Sequence, residues 1–296
     1  MQFQAKKAIR KQLKVKIALI GPSGSGKTYS ALKLAKGFGG NILLGNTEGD
    51  RGYIYADEFE YDIVDLQPPF TPEQFIELIN YAEKNGYNTL IIDSGTHEWS
   101  GRGGMLEMHS KIPGNSYVAW SKLTPRHNDF VDRQLYSKCH IINCLRGKDQ
   151  YVLEENEKGK QAPKKVGLGA DQRANYEYEM MAALMIDQQT HTFTAVKDNT
   201  HLFENRFEVL TVKDGENLLA WAESGIEVPE LINDKQRTQL IAVSKENALS
   251  NEDMKNLLHW KFNVKSSSEL TNAQATELIE NLPNIWTEYV SEQSKK

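Results

Sequence analysis

Cysteine is scarce in this 296-residue chain, where Cys139 and Cys144 are the only two. That excludes a disulfide-stapled scaffold and predicts a reduced, intracellular protein. Long apolar runs are missing as well, and no stretch approaches the roughly 20 residues of a membrane span. The basic start, MQFQAKKAIRKQLKVKIALIG, holds no apolar run longer than Ile17–Ile20, too short for the core of a signal peptide. The expectation is a cytoplasmic protein without a membrane segment. Charge of one sign is not in excess: Lys+Arg number 35 against 40 Asp+Glu, for a net charge of −5. A weakly acidic total still permits a nucleic-acid partner, because binding depends on local patches. Collagen-like and disordered compositions are likewise absent. What remains, 39% hydrophobic and 25% charged residues, is ordinary globular composition with material for a real core. At roughly 150 residues per domain, the length suits one large domain plus a smaller one, or two domains.

Strand and helix signals alternate along the first three quarters of the chain. VKIALI (15–20) reads as a buried strand, followed by GPSGSGKT and a helix to about Lys36. Glycines 37, 39 and 40 end that helix, and NILLGNTE and YDIVDL read as further strands. Thr71-Pro72-Glu73-Gln74 is a helix start, with Thr as N-cap, Pro at the first helical position and Gln placed to close a capping box. NTLIIDS is a buried strand, VAWSKLTPRHNDFVDRQLYSK a helical stretch expected to break near Pro125, and CHIINCLRG another strand. Next come a hairpin over YVLEENEKGKQAPKKVG, strands near EYEMMAALMID and HTFTAVKD, and a short helix over Asn217–Glu223. This alternation predicts an α/β domain over residues 1–225, with a mostly parallel sheet and helices on both faces. ESGIEVPEL reads as a linker. From 226 to 296 the spacing is helical, with starts at Asp234, Ser250 (boxed by Asp253) and Thr271 (boxed by Gln274), so a small all-α module is expected.

The segment Gly21-Pro22-Ser23-Gly24-Ser25-Gly26-Lys27-Thr28 matches GxxxxGK[ST] between a buried strand and a helix start. Glycines let backbone N–H groups converge on phosphate oxygens, and the helix N-terminus favours the anion. Lys27 is placed to neutralise the β- and γ-phosphates and Thr28 to ligate Mg²⁺, with Tyr29 completing the candidate nucleotide-binding set. Asp93, ending the strand LIID, is the candidate second holder of the Mg²⁺ shell. Ser94 follows it, where many related ATPases place a catalytic Glu. The candidate base is therefore Glu48, at the end of ILLGNTE, with Glu98 as runner-up. His97-Glu98 opens a zinc-protease pattern that fails at Gly101, where a second His is required. No Asn-Lys-x-Asp guanine reader is present, so ATP is favoured over GTP.

Two basic stretches stand apart. Lys6, Lys7, Arg10, Lys11, Lys14 and Lys16 crowd the start, where a solvated arm is expected. Lys158, Lys160, Lys164, Lys165 and Arg173, opposed only by Asp171, form a loop able to track a phosphate backbone, with Tyr151, Tyr176 and Tyr178 as candidate base-stacking platforms or, equally, buried strand aromatics. A plain solvent-exposed hairpin is the alternative.

GPSGSGKTYSALKLA, NTLIIDSGTHEWSGRGGMLEMH, VAWSKLTPRHNDFVD and YVLEENEKGKQAPKKVGLGADQR resemble phage-encoded ATPases with a RecA-like core, a group that includes single-strand annealing recombinases. The resemblance covers roughly residues 15–222. It implies a RecA-like P-loop NTPase core with ATP and Mg²⁺ as cofactors and single-stranded DNA as partner. A homo-oligomer, ring or filament, in the cytoplasm of a bacterial host is implied too, as is a phage single-strand-binding protein as a further partner. By the same resemblance Glu48 is the water-activating carboxylate, Arg146 leads into a DNA-binding loop, and Lys197 supplies a catalytic cation to the neighbouring subunit's ATP. One departure is Cys144, where RecA carries a γ-phosphate-sensing Gln after the residue matching Asn143; Cys cannot replace its amide. The rival readings are a translocase or helicase on the same core, and a P-loop small-molecule kinase with residues 100–116 as a substrate lid.

Overall fold

The computed structural model describes residues 7–155, 161–227 and 229–294, with the side chains of residues 150–166 outside the description. It divides into two units, Met1–Gly225 and Ile226–Lys296. In the first, the elements in order are β1 (Lys16–Gly21), α1 (Lys27–Phe38), β2 (Ile42–Asn46), β3 (Asp62–Asp65), α2 (Pro72–Lys84), β4 (Thr89–Asp93), α3 (Thr96–Ser100), α4 (Met105–Ser110), α5 (Ser116–Leu135), β5 (His140–Glu155), β6 (Gln161–Ala170), β7 (Ala182–Ile186), β8 (Phe193–Asp198) and α6 (Val212–Glu223). The sheet runs β3-β2-β4-β5-β1-β7-β8, with β6 paired to the outer half of β5. All pairings are parallel except β7–β8 and β5–β6.

Period-two alternation builds the layers. On β1, Ile17 and Leu19 face one core with α1 and α6, while Ala18 and Ile20 face a second core with α2 and α5. Strands buried on both faces explain why these segments read as continuous apolar runs. Helices α1 and α6 approach closely because Gly37 and Gly215 meet there; a Cβ on either would strike the opposite backbone. The resulting mixed, mostly parallel sheet with flanking helices is the α/β architecture expected, with a helical module following it.

Four local expectations are corrected. Helix α5 continues through Pro125 instead of breaking. Pro125 and Ser121 both lie on the exposed face, so the carbonyl that loses its helical donor meets water. The Thr71 hydroxyl caps α2, but Gln74 does not complete the box, because its Nε2 donates to Gln67 O at 2.9 Å. Helix α6 starts five residues before Asn217, where Thr211 and Asp214 form a capping box. Lys16 belongs to no solvated arm: it is 2% exposed inside β1, its ammonium donating to Ser137 O and Cys139 O, and burial pulls its pKa down to about 7.

The second unit holds α7 (Asp234–Glu246), α8 (Asn251–Phe262) and α9 (Asn272–Gln293). The boxes at Ser250–Asp253 and Thr271–Gln274 form as expected, and Asn233–Gln236 adds a third. Helix α9 bends at Asn281, just before Pro283. Leu240, Leu257, Leu258, Leu278 and Leu282 form the core of this unit. No helix among the described residues is long and apolar enough to cross a membrane.

Candidate active site

Register brings the candidate residues to one edge of the sheet. Asn46 lies opposite Asp93, Asp93 opposite Cys144, and Gly21 opposite Arg146. The carboxyl ends of β2, β4 and β1 thus meet the middle of β5 at one crevice, where open α/β sheets place their ligands. A cleft of about 580 Å³ opens there, lined by Lys27, Thr28, Tyr29, Glu48, Asp93 and Arg146 among others.

The phosphate loop is shaped for an anion. Gly24 and Gly26 adopt φ of 80° and 88°, backbone that side chains resist. Lys27, 9% exposed, folds back so that its ammonium donates to Gly21 O at 2.9 Å and Pro22 O at 2.8 Å. Burial lowers its pKa, so an anion beside it relieves a real cost. Ser25 Oγ is buried without a partner. A buried ammonium, an orphaned hydroxyl and left-handed glycines at a helix start all fit a polyphosphate.

Thr28 Oγ1 donates to Asp93 Oδ2 at 2.5 Å. Asp93 is 6% exposed; burial raises its pKa, against the opposing Thr28 hydrogen bond. A hydroxyl and a carboxylate oxygen in contact beside a phosphate seat fit Mg²⁺, which takes few protein ligands and completes its shell with phosphate and water. Among the described residues no group of three or more His, Cys, Asp and Glu is placed to hold a metal.

Glu48 is aimed by the turn after β2. Asn46 Nδ2 donates to Asp65 Oδ1 at 2.6 Å and to Gly49 O at 2.7 Å, while its Oδ1 accepts from Glu48 N at 3.0 Å. The Glu48 carboxylate, with 15% side-chain exposure, then accepts from Arg146 Nη2 at 2.6 Å and from Arg51 Nη1 at 3.3 Å. His97 Nε2 stands 4.0 Å away; its ring stacks on Phe70, and burial pushes its pKa down. The rival base, Glu98, is fully buried, within 3.0 Å of His127 Nδ1 and accepting from Gln172 Nε2 at 3.1 Å. It does not border the cleft.

Tyr29 packs tilted against Tyr55 and edge-to-face against Phe59, at ring separations of 5.2 and 5.4 Å, beside the cleft. The segment 100–116 contributes no residue to the cleft lining. Sequence reading missed the β7–β8 turn, where Gln188 Nε2 donates to Ser23 O at 2.8 Å and His191 Nδ1 lies 3.0 Å from Ser25 O. These contacts span about 165 positions of sequence and leave no local signal.

The remaining candidates are scattered. Arg146 lines the cleft on the strand that continues into the β5–β6 hairpin. Arg173 lies at the foot of the β5–β6 hairpin, donating to Asn128 Oδ1 at 3.3 Å. Lys197, on edge strand β8, donates to Tyr178 O away from the cleft. Tyr176 is no stacking platform: it is 3% exposed, its hydroxyl donating to Gln134 Oε1, whereas Tyr178 is 60% exposed. Lys158 and Lys160 lie outside the described residues, as does Lys6. So do the side chains of Lys164, Lys165 and Tyr151. Cys139 and Cys144 are core residues, and burial raises both thiol pKa values.

The family model described as an AAA domain matches residues 13–216. No curated protein matches the chain. Among solved structures, ATP synthase subunit NeqB from Nanoarcheaum equitans is similar at 14% identity, covering 94% of this chain and 72% of its own, with a TM-score of 0.37. A prototypical ATPase from the type III secretion system of pathogenic bacteria is similar at 14% identity, covering 93% and 81% respectively, also at 0.37.

Proposed function

This chain belongs to the AAA-domain family of P-loop ATPases, and we propose that it is an ATP- and Mg²⁺-dependent, single-stranded-DNA-binding ATPase promoting annealing or strand pairing in phage homologous recombination. In this reading the loop amides and the α1 N-terminus cradle the phosphates, and Lys27 exchanges its two carbonyl partners for phosphate oxygens. Thr28 and Asp93 hold Mg²⁺, which when bound offsets charge on the transferring phosphoryl group. Glu48 orients the attacking water and receives its proton. Arg146 positions that carboxylate. Lys197 acts across a subunit interface in a homo-oligomer.

The observation that supports a link to DNA is the continuity of β5. The strand leaves the core at Arg146, which holds the candidate base, and runs directly into the hairpin that carries Lys164 and Lys165. The foot of that hairpin is gripped by residues just past Asp93. Arg146 N donates to Thr96 Oγ1 at 2.9 Å, Ser100 Oγ to Asp171 Oδ2 at 2.7 Å, and Gln172 Nε2 to Gly95 O at 3.2 Å. A ligand that displaces the hairpin would therefore be felt at Glu48.

Fluorescence anisotropy with labelled oligo(dT) at several salt concentrations, with ATP and Mg²⁺, tests the reading. Affinity should fall with a log–log slope of about −0.7 per phosphate contacted. Replacing Lys158, Lys160, Lys164 and Lys165 by Ala should flatten that slope, similarly for every sequence. An unchanged slope in that variant removes the hairpin from the interface. Absence of DNA binding by the unmodified chain overturns the recombinase reading.

A further inference from the structure

The helical unit 226–296 carries 8 basic and 11 acidic side chains, an acidic balance, yet its charges are sorted. A groove of about 400 Å³ lies between α7, α8 and the turn at Lys265–Ser268. Its floor is aliphatic, built from Leu240, Leu249, Met254 and Leu258, with Ile241 on the rim at 57% exposure. Around it stand Arg237, Lys245, Lys255 and Lys265, half of the unit's cations, and no acidic residue lines it. Among the described residues none of these four forms an ion pair. Lys261, outside the groove, pairs instead with Glu277 at 3.7 Å and Glu288 at 3.9 Å.

Four like charges gathered with no ion pair among the described residues repel one another, although the Glu269 carboxylate accepts from Lys265 N at 3.0 Å, and an anionic partner removes that cost. The floor narrows the choice of partner. It has no aromatic ring on which a nucleobase could stack, as single-strand binding sites normally do. Its leucines and the adaptable Met254 suit apolar side chains instead. We propose that this groove docks an acidic peptide segment of a partner protein, with its apolar side chains on the Leu240–Met254–Leu258 floor and its carboxylates on the four cations. Such a contact combines the groove-anchoring and charged-motif modes of peptide recognition. Its residues all belong to the second unit, and those of the ATPase site to the first.

The test uses the full chain and a panel of fluorescein-labelled peptides in which Asp and Glu alternate with Leu, Ile, Met or Phe. At least one should bind saturably, more weakly as salt rises. The counterparts with Lys in place of the acids should not bind, and unlabelled oligo(dT) should not compete. The double reversal Lys245→Glu/Lys255→Glu should weaken binding by about tenfold or more, since rim charge pairs are each worth up to about 1 kcal/mol and reversal turns attraction into repulsion. Ile241→Asp should weaken it similarly, with ATP turnover and circular dichroism unchanged. Lys245→Gln/Lys255→Gln, which only removes charge, should give a smaller loss in the same direction. Failure of the whole panel to bind overturns the proposal, as does unchanged affinity in the double reversal. Displacement of bound peptide by oligo(dT) would reassign the groove to nucleic acid.

Discussion

Replacing Glu48 by Gln separates chemistry from binding at this site. The amide keeps the shape of the carboxylate and an oxygen for Arg146, which lies 2.6 Å away, but loses charge and basicity. General-base assistance contributes roughly 10²- to 10⁴-fold, or about 3–5.5 kcal/mol of barrier. Because Gln can still orient a water, the expected loss is near the lower end, about 10²-fold in single-turnover hydrolysis. Binding should move the other way. Burial lowers the pKa of Lys27 and raises that of Asp93, and the negative charge of Glu48 pushes both upward, so its field reaches the phosphate seat. Removing a unit charge from beside a bound phosphate relieves roughly 1 kcal/mol at the high effective dielectric of an open cleft. That predicts ATP binding about fivefold tighter. Rapid-quench hydrolysis of labelled ATP measures the first quantity, and titration with a fluorescent ATP analogue the second. Glu98→Gln is the control, because Glu98 is sequestered with His127 and Gln172. Near-normal hydrolysis by Glu48→Gln, or a larger loss in Glu98→Gln, would refute the assignment.

Arg146→Ala should leave thermal stability within about 1 kcal/mol of the parent, since the Arg146 side chain is 45% exposed and solvent screens its ion pair. Any acceleration of hydrolysis by DNA should disappear, and stimulation that survives in this variant would break the proposed link through β5. If Lys197 serves a neighbouring site, specific ATPase activity should rise with protein concentration, and Lys197→Ala should lower turnover by about tenfold or more while nucleotide still binds. A flat dilution series with monomeric protein contradicts this. Lys16 sets a pH dependence. Its pKa is about 7 when folded against 10.5 when free, so between those values the unfolded chain holds more protons and stability rises with pH. From pH 7 to 8.5 the gain from this group should approach roughly 1.5 kcal/mol, and Lys16→Met should lose it. Urea melts of the two proteins that keep parallel pH profiles would show that Lys16 does not titrate in this range.

What the sequence made legible was local. GPSGSGKT between an apolar run and a helix marks a phosphate loop because glycine geometry, the lysine and the hydroxyl are adjacent in the chain. Asp93 was placed by the strand it ends. The caps at Ser250 and Thr271 are three-residue patterns, and they form as read. What stayed hidden depends on distant partners or on burial. Lys16 sits among lysines and reads as solvated, but the strand register turns it inward onto Ser137 and Cys139. Arg146 borders the cleft because β5 lies beside β1, and no local pattern announces its pairing with Glu48. Gln188 and His191 reach the phosphate loop only because β7 neighbours β1. Pro125 misleads for the opposite reason: its local penalty is real, but an exposed helix face absorbs it.

The central claim is that ATP hydrolysis at the Lys27–Asp93–Glu48 cleft is coupled to single-stranded DNA. Steady-state ATPase measurement at saturating ATP and Mg²⁺, with and without oligo(dT), tests it most directly. Lys27→Ala fixes the background. The expected result is a higher rate with oligo(dT) than without, a smaller effect from duplex of the same length, and background activity in Lys27→Ala under all conditions. Robust hydrolysis that depends on Lys27 but is identical with and without single strands would contradict it.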